Sequence, residues 1–206
     1  MDKHPDMGPY VACMNEIKLR YKIANSFNTG ERNAIYDVPT MEVMILQFRM
    51  IFELIALSSL SAHAKIFEDY QVKFQKKWRV TDIFGDLEKL NKNFYPRPIR
   101  EVPSARENIK NDLIDISDGY LTKEELVSAH GQCGGVLHAR NPFGRQIDPA
   151  TFRSKLDDWS SKVITLLNTH VVTLLDDEFM YLIQFNAIDQ PVRTYVFGKA
   201  SEQQGD

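Results

Sequence analysis

Met41-Glu42-Val43-Met44-Ile45-Leu46-Gln47-Phe48-Arg49-Met50-Ile51-Phe52-Glu53-Leu54-Ile55-Ala56-Leu57-Ser58-Ser59-Leu60 is the stretch that decides the fold. Met41, Met44, Ile45, Phe48, Ile51, Phe52 and Ile55 recur at helical spacing and form a wide apolar face, which predicts a long core helix with Thr40, after Pro39, as its N-cap. The stretch is as long as a membrane span. Glu42, Arg49 and Glu53 interrupt it, two of them near its centre, where an ion is costly in lipid. We therefore read a core helix running to about residue 64, with no membrane partner.

Upstream, Pro9 suits a first helical turn, and Tyr10, Met14, Ile17 and Tyr21 extend a first helix to about Asn25 before Asn28-Thr29-Gly30 ends it. Downstream, Phe67, Tyr70, Phe74 and Trp78 keep helical spacing while Lys73, Lys76 and Lys77 fall largely off that stripe. An aromatic core face beneath a solvated basic face explains them; a stacking and phosphate-binding surface is the alternative. Ile83, Leu87 and Leu90 mark another helix, and the prolines of Asn93-Phe94-Tyr95-Pro96-Arg97-Pro98 then impose extended backbone, with irregular structure expected from there to Tyr120.

Leu121-Thr122-Lys123-Glu124-Glu125-Leu126 is a complete helix start, with Thr122 as N-cap, Glu125 closing a capping box, and Leu121 and Leu126 as a staple. The helix carries Gly131, Gly134 and Gly135, which suggest close approach of another helix or a ligand, and Pro142 should stop it near Arg140. Asp148-Pro149 opens the last helix, through Phe152, Leu156, Trp159, Val163 and Leu166. The period then becomes two, and 171–175, 179–185 and 192–197 read as strands. The expected fold is mainly α: a bundle of about five helices over roughly 9–168, a C-terminal three-stranded antiparallel β-meander over 169–198 and a tail at 199–206, all in one domain spanning 1–206.

With 206 residues, 43% of them hydrophobic, the chain can bury a core without staples. Its 25 basic and 28 acidic residues leave a net charge of −3, so nucleic-acid contact would need a local patch. Cys13 and Cys133 form no CxxC pair, which argues against disulfides and cysteine-based zinc sites and fits a reducing, cytoplasmic setting, as does an N-terminus unlike a signal peptide. No dinucleotide, P-loop, serine-hydrolase or zinc-protease motif occurs, so no cofactor is expected. No metal is expected either. The stretch 118–126 copies half of an EF-hand loop, but Ile114 and Ile116 would stand at its first ligand positions. His130 and His138 lie about 80° apart around a helix, which is awkward for a shared metal.

Two polar features remain. Arg49, Glu53 and His63 fall along one side of the central helix, either as an exposed strip with an ordinary ion pair or as part of a substrate-binding site. Leu137-His138-Ala139-Arg140-Asn141-Pro142-Phe143-Gly144-Arg145 gathers an imidazole, two guanidiniums and an amide at a helix end. That mix supplies a general base and anion-stabilising donors, with His138, Arg140 and Asn141 as catalytic candidates and Arg145 as a substrate-binding one. Dipole complementation and a turn start explain the same residues without function.

The segment Leu46-Gln47-Phe48-Arg49-Met50-Ile51-Phe52-Glu53-Leu54-Ile55-Ala56-Leu57, joined to His138-Ala139-Arg140-Asn141, resembles the HEPN group of small helical bundles. The resemblance covers the helical two-thirds of the chain in general character. It implies four or five helices, frequent dimerisation and, in active members, a metal-independent endoribonuclease site built from an arginine, a polar residue and a later histidine. Arg140-Asn141 matches the start of that motif, but Pro142-Phe143-Gly144-Arg145-Gln146-Ile147 stands where the histidine would follow. His138 lies upstream, so ribonuclease activity does not carry over, and a β-meander is not part of the usual bundle.

Two function classes follow. One is an RNA- or nucleotide-phosphate-binding protein, in the extreme an atypical endoribonuclease; the other is a non-catalytic interaction or dimerisation module. A homodimer formed largely through helices is expected in either case, and Glu53 is expected to meet Arg49 or Arg140 beside His138.

Overall fold

A computed structural model describes residues 6–63, 78–138, 148–174 and 179–198. Helix α1 (Gly8–Asn28) carries Pro9 in its first turn and buries Tyr10, Met14, Ile17 and Ala24. Helix α2 (Asp37–His63) buries the apolar face read from the sequence, and both helices belong to one hydrophobic cluster. Each fully buried isoleucine or phenylalanine there contributes about 1.5–3 kcal/mol relative to exposure. Helix α2 is long and apolar enough to cross a membrane, and its packing is that of a core helix, with 67% of an 18-residue apolar window buried inside the protein.

Helix α2 starts four residues earlier than expected, at Asp37 rather than Met41. Pro39 lies inside the first turn, where amide hydrogens have no helical partner and proline loses nothing. Thr40 is therefore not the cap, and its hydroxyl instead accepts the Ala34 amide at 3.0 Å, tying down the preceding loop.

Helix α3 (Val80–Leu90) buries Val80, Ile83, Phe84 and Leu87. Helix α4 (Lys123–Val136) has the capping box in full: the Glu125 amide donates to Thr122 Oγ1 at 3.2 Å, and the Thr122 amide donates to Glu125 Oε2 at 3.0 Å. Before it, Gly119 takes φ +73°, a turn conformation that glycine adopts without strain, in place of an ion-binding loop. Helix α4 ends at Val136, short of Arg140. Helix α5 (Pro149–Leu167) follows Asp148, whose carboxylate accepts the Thr151 amide at 3.2 Å. Trp159 of α5 packs against Phe52 of α2 edge to face, with ring centroids 5.5 Å apart.

The sheet corrects the expected meander. It has five antiparallel strands in the order β2-β1-β3-β4-β5: β1 (Arg97–Pro103), β2 (Asn111–Asp115), β3 (Thr169–Thr173), β4 (Phe179–Gln184) and β5 (Arg193–Gly198). The two extra strands come from the segment expected to be irregular. Their charges hid them: Arg97 pairs with Asp115 and Arg106 with Asp112, on and beside the edge strand β2, where charge is tolerated and useful. The β1–β3 ladder covers only Arg97↔Val171 and Pro98↔His170, and Pro98 has no amide hydrogen to contribute. Tyr181, Ile183 and Val172 turn toward the helices, while Ile99, Val171 and Leu182, with Met180, form a small separate cluster on the other face.

Candidate functional site

Helices α2 and α4 cross antiparallel, which sets Glu53 against His130 and Arg49 against Gly134. Glu53 Oε1 accepts from Arg49 Nε at 3.2 Å and from His130 Nε2 at 2.9 Å. The carboxylate thus holds the imidazole with its proton on Nε2. The side chains are half-buried, 24% exposed for Arg49, 17% for Glu53 and 15% for His130. Gly134 makes room for the guanidinium, since a Cβ there would stand 2.9 Å from Arg49 Nη1. Close approach explains this glycine, whereas Gly131 and Gly135 face open space.

The expected neutralisation of Arg49 by Glu53 is present, but the imidazole beside it is His130. His138 is exposed, beyond the C-cap residue Leu137. Arg140, Asn141 and Arg145 lie outside the described residues, as do the aromatic and lysine positions from Phe67 to Lys77. His63, the last residue of α2, stands about 15 Å along the helix from Glu53 at 1.5 Å per residue. It takes no part in this cluster. Its Nδ1 donates to the Ser59 carbonyl at 2.7 Å, so Nε2 accepts from Asn91 Nδ2 at 2.9 Å. Asn91 also donates to the Thr173 carbonyl and accepts the Asn93 amide, each at 2.9 Å. Burial holds the His63 pKa below its ordinary value. This is a structural pin between α2, the turn after α3 and β3.

A second buried histidine went unread in the sequence. His170 Nδ1 donates to the Leu167 carbonyl at 2.9 Å, which leaves Nε2 to accept the Tyr10 hydroxyl at 2.7 Å. Burial pushes its pKa down to about 4 and holds the Tyr10 phenol far above its ordinary range. Neither thiol is poised as a nucleophile: burial pushes Cys133 up to about 12, with Arg49 opposing the shift, and Cys13 up to about 11.

The sequence signal for His130 was its spacing, four residues before Gly134, matching Arg49 four before Glu53 on an antiparallel neighbour. Only the packing of α2 on α4 makes that match legible. Chemically, the cluster is a carboxylate-oriented imidazole beside a guanidinium whose charge the same carboxylate offsets. Among the described residues, no group of His, Cys, Asp and Glu is arranged to hold a metal ion. A cleft of about 650 Å³ beside β1 and β2 includes Tyr95, Tyr120 and Lys92, and its arginine, Arg97, is paired with Asp115.

The other concentration of exposed functional groups is apolar. Strand β5 ends the sheet and presents Tyr195, Val196 and Phe197, which are 40%, 44% and 46% exposed. Lys18 of α1 holds the turn before it, donating to the carbonyls of Ala187 at 2.9 Å and Gln190 at 2.6 Å above the Phe185 ring. Ile35, Tyr36 and Trp78 are exposed as well, but they lie in a loop and at helix starts and offer no row of backbone partners; Leu113 and Ile114, each 39% exposed, lie on the other edge strand, β2, between two aspartates. The chain matches no protein-family model, no curated protein and no solved structure.

Proposed function

We propose that this chain is a non-catalytic interaction module that binds a partner by adding a strand to the β5 edge, on which no other described strand pairs. The observation that carries this reading is the run of three exposed, large apolar residues, Tyr195, Val196 and Phe197, on a terminal strand. An edge strand turns alternate N–H and C=O groups outward, and water or another strand must satisfy them. The opposite edge, β2, also exposes two apolar residues, Leu113 and Ile114, each 39%, but they sit between Asp112 and Asp115, whose ion pairs keep that edge charged, whereas β5 has no acidic residue. The α2–α4 cluster supports the reading indirectly, because Glu53 offsets the cation that an RNA phosphate would need.

The test uses a synthetic peptide spanning residues 191–198. Strand addition predicts amide resonance changes concentrated in β5 and β4 when the peptide is in excess. A peptide that leaves the β5 amides unchanged removes the reading.

A second reading, an RNA- or nucleotide-phosphate-binding site, draws on the meeting of Arg49, Glu53 and His130, with His138, Arg140, Asn141 and Arg145 following in the sequence. It predicts RNA retention that weakens as salt rises and that Arg49→Ala or Arg140→Ala reduces. Retention insensitive to both substitutions would exclude it.

A further inference from the structure

We infer that the partner strand is β5 of a second copy of this chain, paired antiparallel about Tyr195, so that the two five-stranded sheets become one continuous sheet. This rests on reading the β5 edge as the interaction surface, and it goes further by naming the occupant and the register.

The argument for a second copy is that β5 complements itself. Centring the pair on Tyr195 sets Arg193 opposite the second copy's Phe197, Thr194 opposite its Val196 and Tyr195 opposite its own counterpart. Arg193, Tyr195 and Phe197 share one face of the strand by alternation. A guanidinium then lies against a phenylalanine ring at each end, with an aromatic pair between, which is favourable cross-strand chemistry. The other face pairs threonine with valine, two β-branched residues that suit a sheet. Centring one residue later would set Thr194 opposite Gly198, which has no side chain to pair across the ladder.

Sheet register adds an independent reason. Val171, Leu182 and Tyr195 lie side by side across β3, β4 and β5. Val171 and Leu182 belong to the small cluster on the face away from the main core, while Tyr195 remains exposed at the end of the row. Pairing through Tyr195 joins the two small clusters across the twofold axis and covers the apolar end of each. The twofold arrangement also closes the assembly at two copies, since the pairing uses the β5 edge of both copies and the other edge of the described sheet, β2, carries the ion-paired Asp112 and Asp115 beside Leu113 and Ile114.

Light scattering tests the inference on the full chain. The expected mass is twice 23.8 kDa in the micromolar range, halved by Val196→Lys with an unchanged far-ultraviolet circular dichroism spectrum. Excess 191–198 peptide should halve it too. Cysteine cross-linking tests the register: Tyr195→Cys brings two thiols directly opposite and should give a disulfide-linked dimer under mild oxidation. Val196→Cys places them diagonally, about 7 Å apart, and should remain unlinked, as should the unsubstituted chain. A chain that stays monomeric yet binds the peptide overturns self-pairing and spares the edge reading. A monomer that also ignores the peptide overturns both. A dimer that Val196→Lys leaves intact, or that links through position 196 rather than 195, overturns the interface or its register.

Discussion

His130 Nε2 lies 2.9 Å from Glu53 Oε1, and the same oxygen accepts Arg49 Nε, so one carboxylate joins two groups across the α2–α4 crossing. Removing the carboxylate leaves both donors half-buried without it, whereas removing the imidazole leaves the ion pair standing. Glu53→Ala is therefore expected to destabilise the fold by about 1–2 kcal/mol and His130→Ala by about half as much. Urea unfolding midpoints check the ranking. A double-mutant cycle on Glu53 and His130 should give a coupling of at least about 0.5 kcal/mol, because the two share a hydrogen bond.

The buried histidines make stability depend on pH in a definite direction. Burial depresses the folded pKa of His170 to about 4 and lowers that of His63, against an unfolded value near 6.5. Between these values the unfolded chain binds protons that the native chain does not, so stability rises with pH across the window. It is fully present above about pH 6.5 and lost as pH falls toward about 4. The His170 shift alone corresponds to about 3 kcal/mol, and His63 adds to it with the same sign. Urea midpoints at pH 7 and pH 5.5 should differ accordingly, and His170→Gln should flatten the slope.

Asn91 satisfies three partners with one side chain: His63 Nε2, the Thr173 carbonyl and the Asn93 amide. Asn91→Leu strands His63 Nε2 in a buried setting and the Thr173 carbonyl and Asn93 amide in part-buried ones. The expected loss is about 2–4 kcal/mol, larger than for an average substitution, since each orphaned buried group costs about 1–3 kcal/mol and some relaxation follows. Thermal melting checks the size. Asn91→Asp keeps the acceptor for Asn93 and loses the two donors, so it should fall between the wild type and Asn91→Leu.

The helical part of the fold was legible because α2 and α5 carry apolar periodicity and α4 carries its capping box in sequence. Strands β1 and β2 were not legible, since Arg97, Glu101, Asp112 and Asp115 break the alternation that marks a strand. Their compensation is cross-strand: Asn111 Nδ2 donates to Glu101 Oε2 at 3.0 Å, and Gln184 Nε2 donates to Glu101 Oε1 at 2.8 Å. The candidate site was legible only up to the ion pair. Arg49 and Glu53 are four residues apart on one helix, so their meeting is a local fact. Which histidine joins them depends on how α4 lies on α2, and no local spacing fixes that. His63 misled for a related reason: helical arithmetic gives its direction from the axis, but the Asn91 side chain that captures it arrives from a distant turn.

The glycines of α4 separate packing from helix propensity and bear on which surface dimerises. Gly131 and Gly135 face open space, so alanine at either position removes a helix-interior glycine without a clash and should stabilise by about 0.5–1 kcal/mol. Gly134→Ala gains the same propensity but puts a methyl group 2.9 Å from Arg49 Nη1. The guanidinium is the far end of a flexible side chain and can shift, weakening its bond to Glu53, so the net change should be near zero. Melting temperatures should rank Gly131→Ala and Gly135→Ala above wild type, with Gly134→Ala close to it. The same variants test whether two copies associate through this helix. A close-packed α4 interface would lose affinity when methyl groups enter it, whereas pairing through β5 predicts that Gly131→Ala and Gly135→Ala leave the dimer mass unchanged. Light scattering on the double variant decides: dissociation would move the interface from the sheet edge to the glycine face.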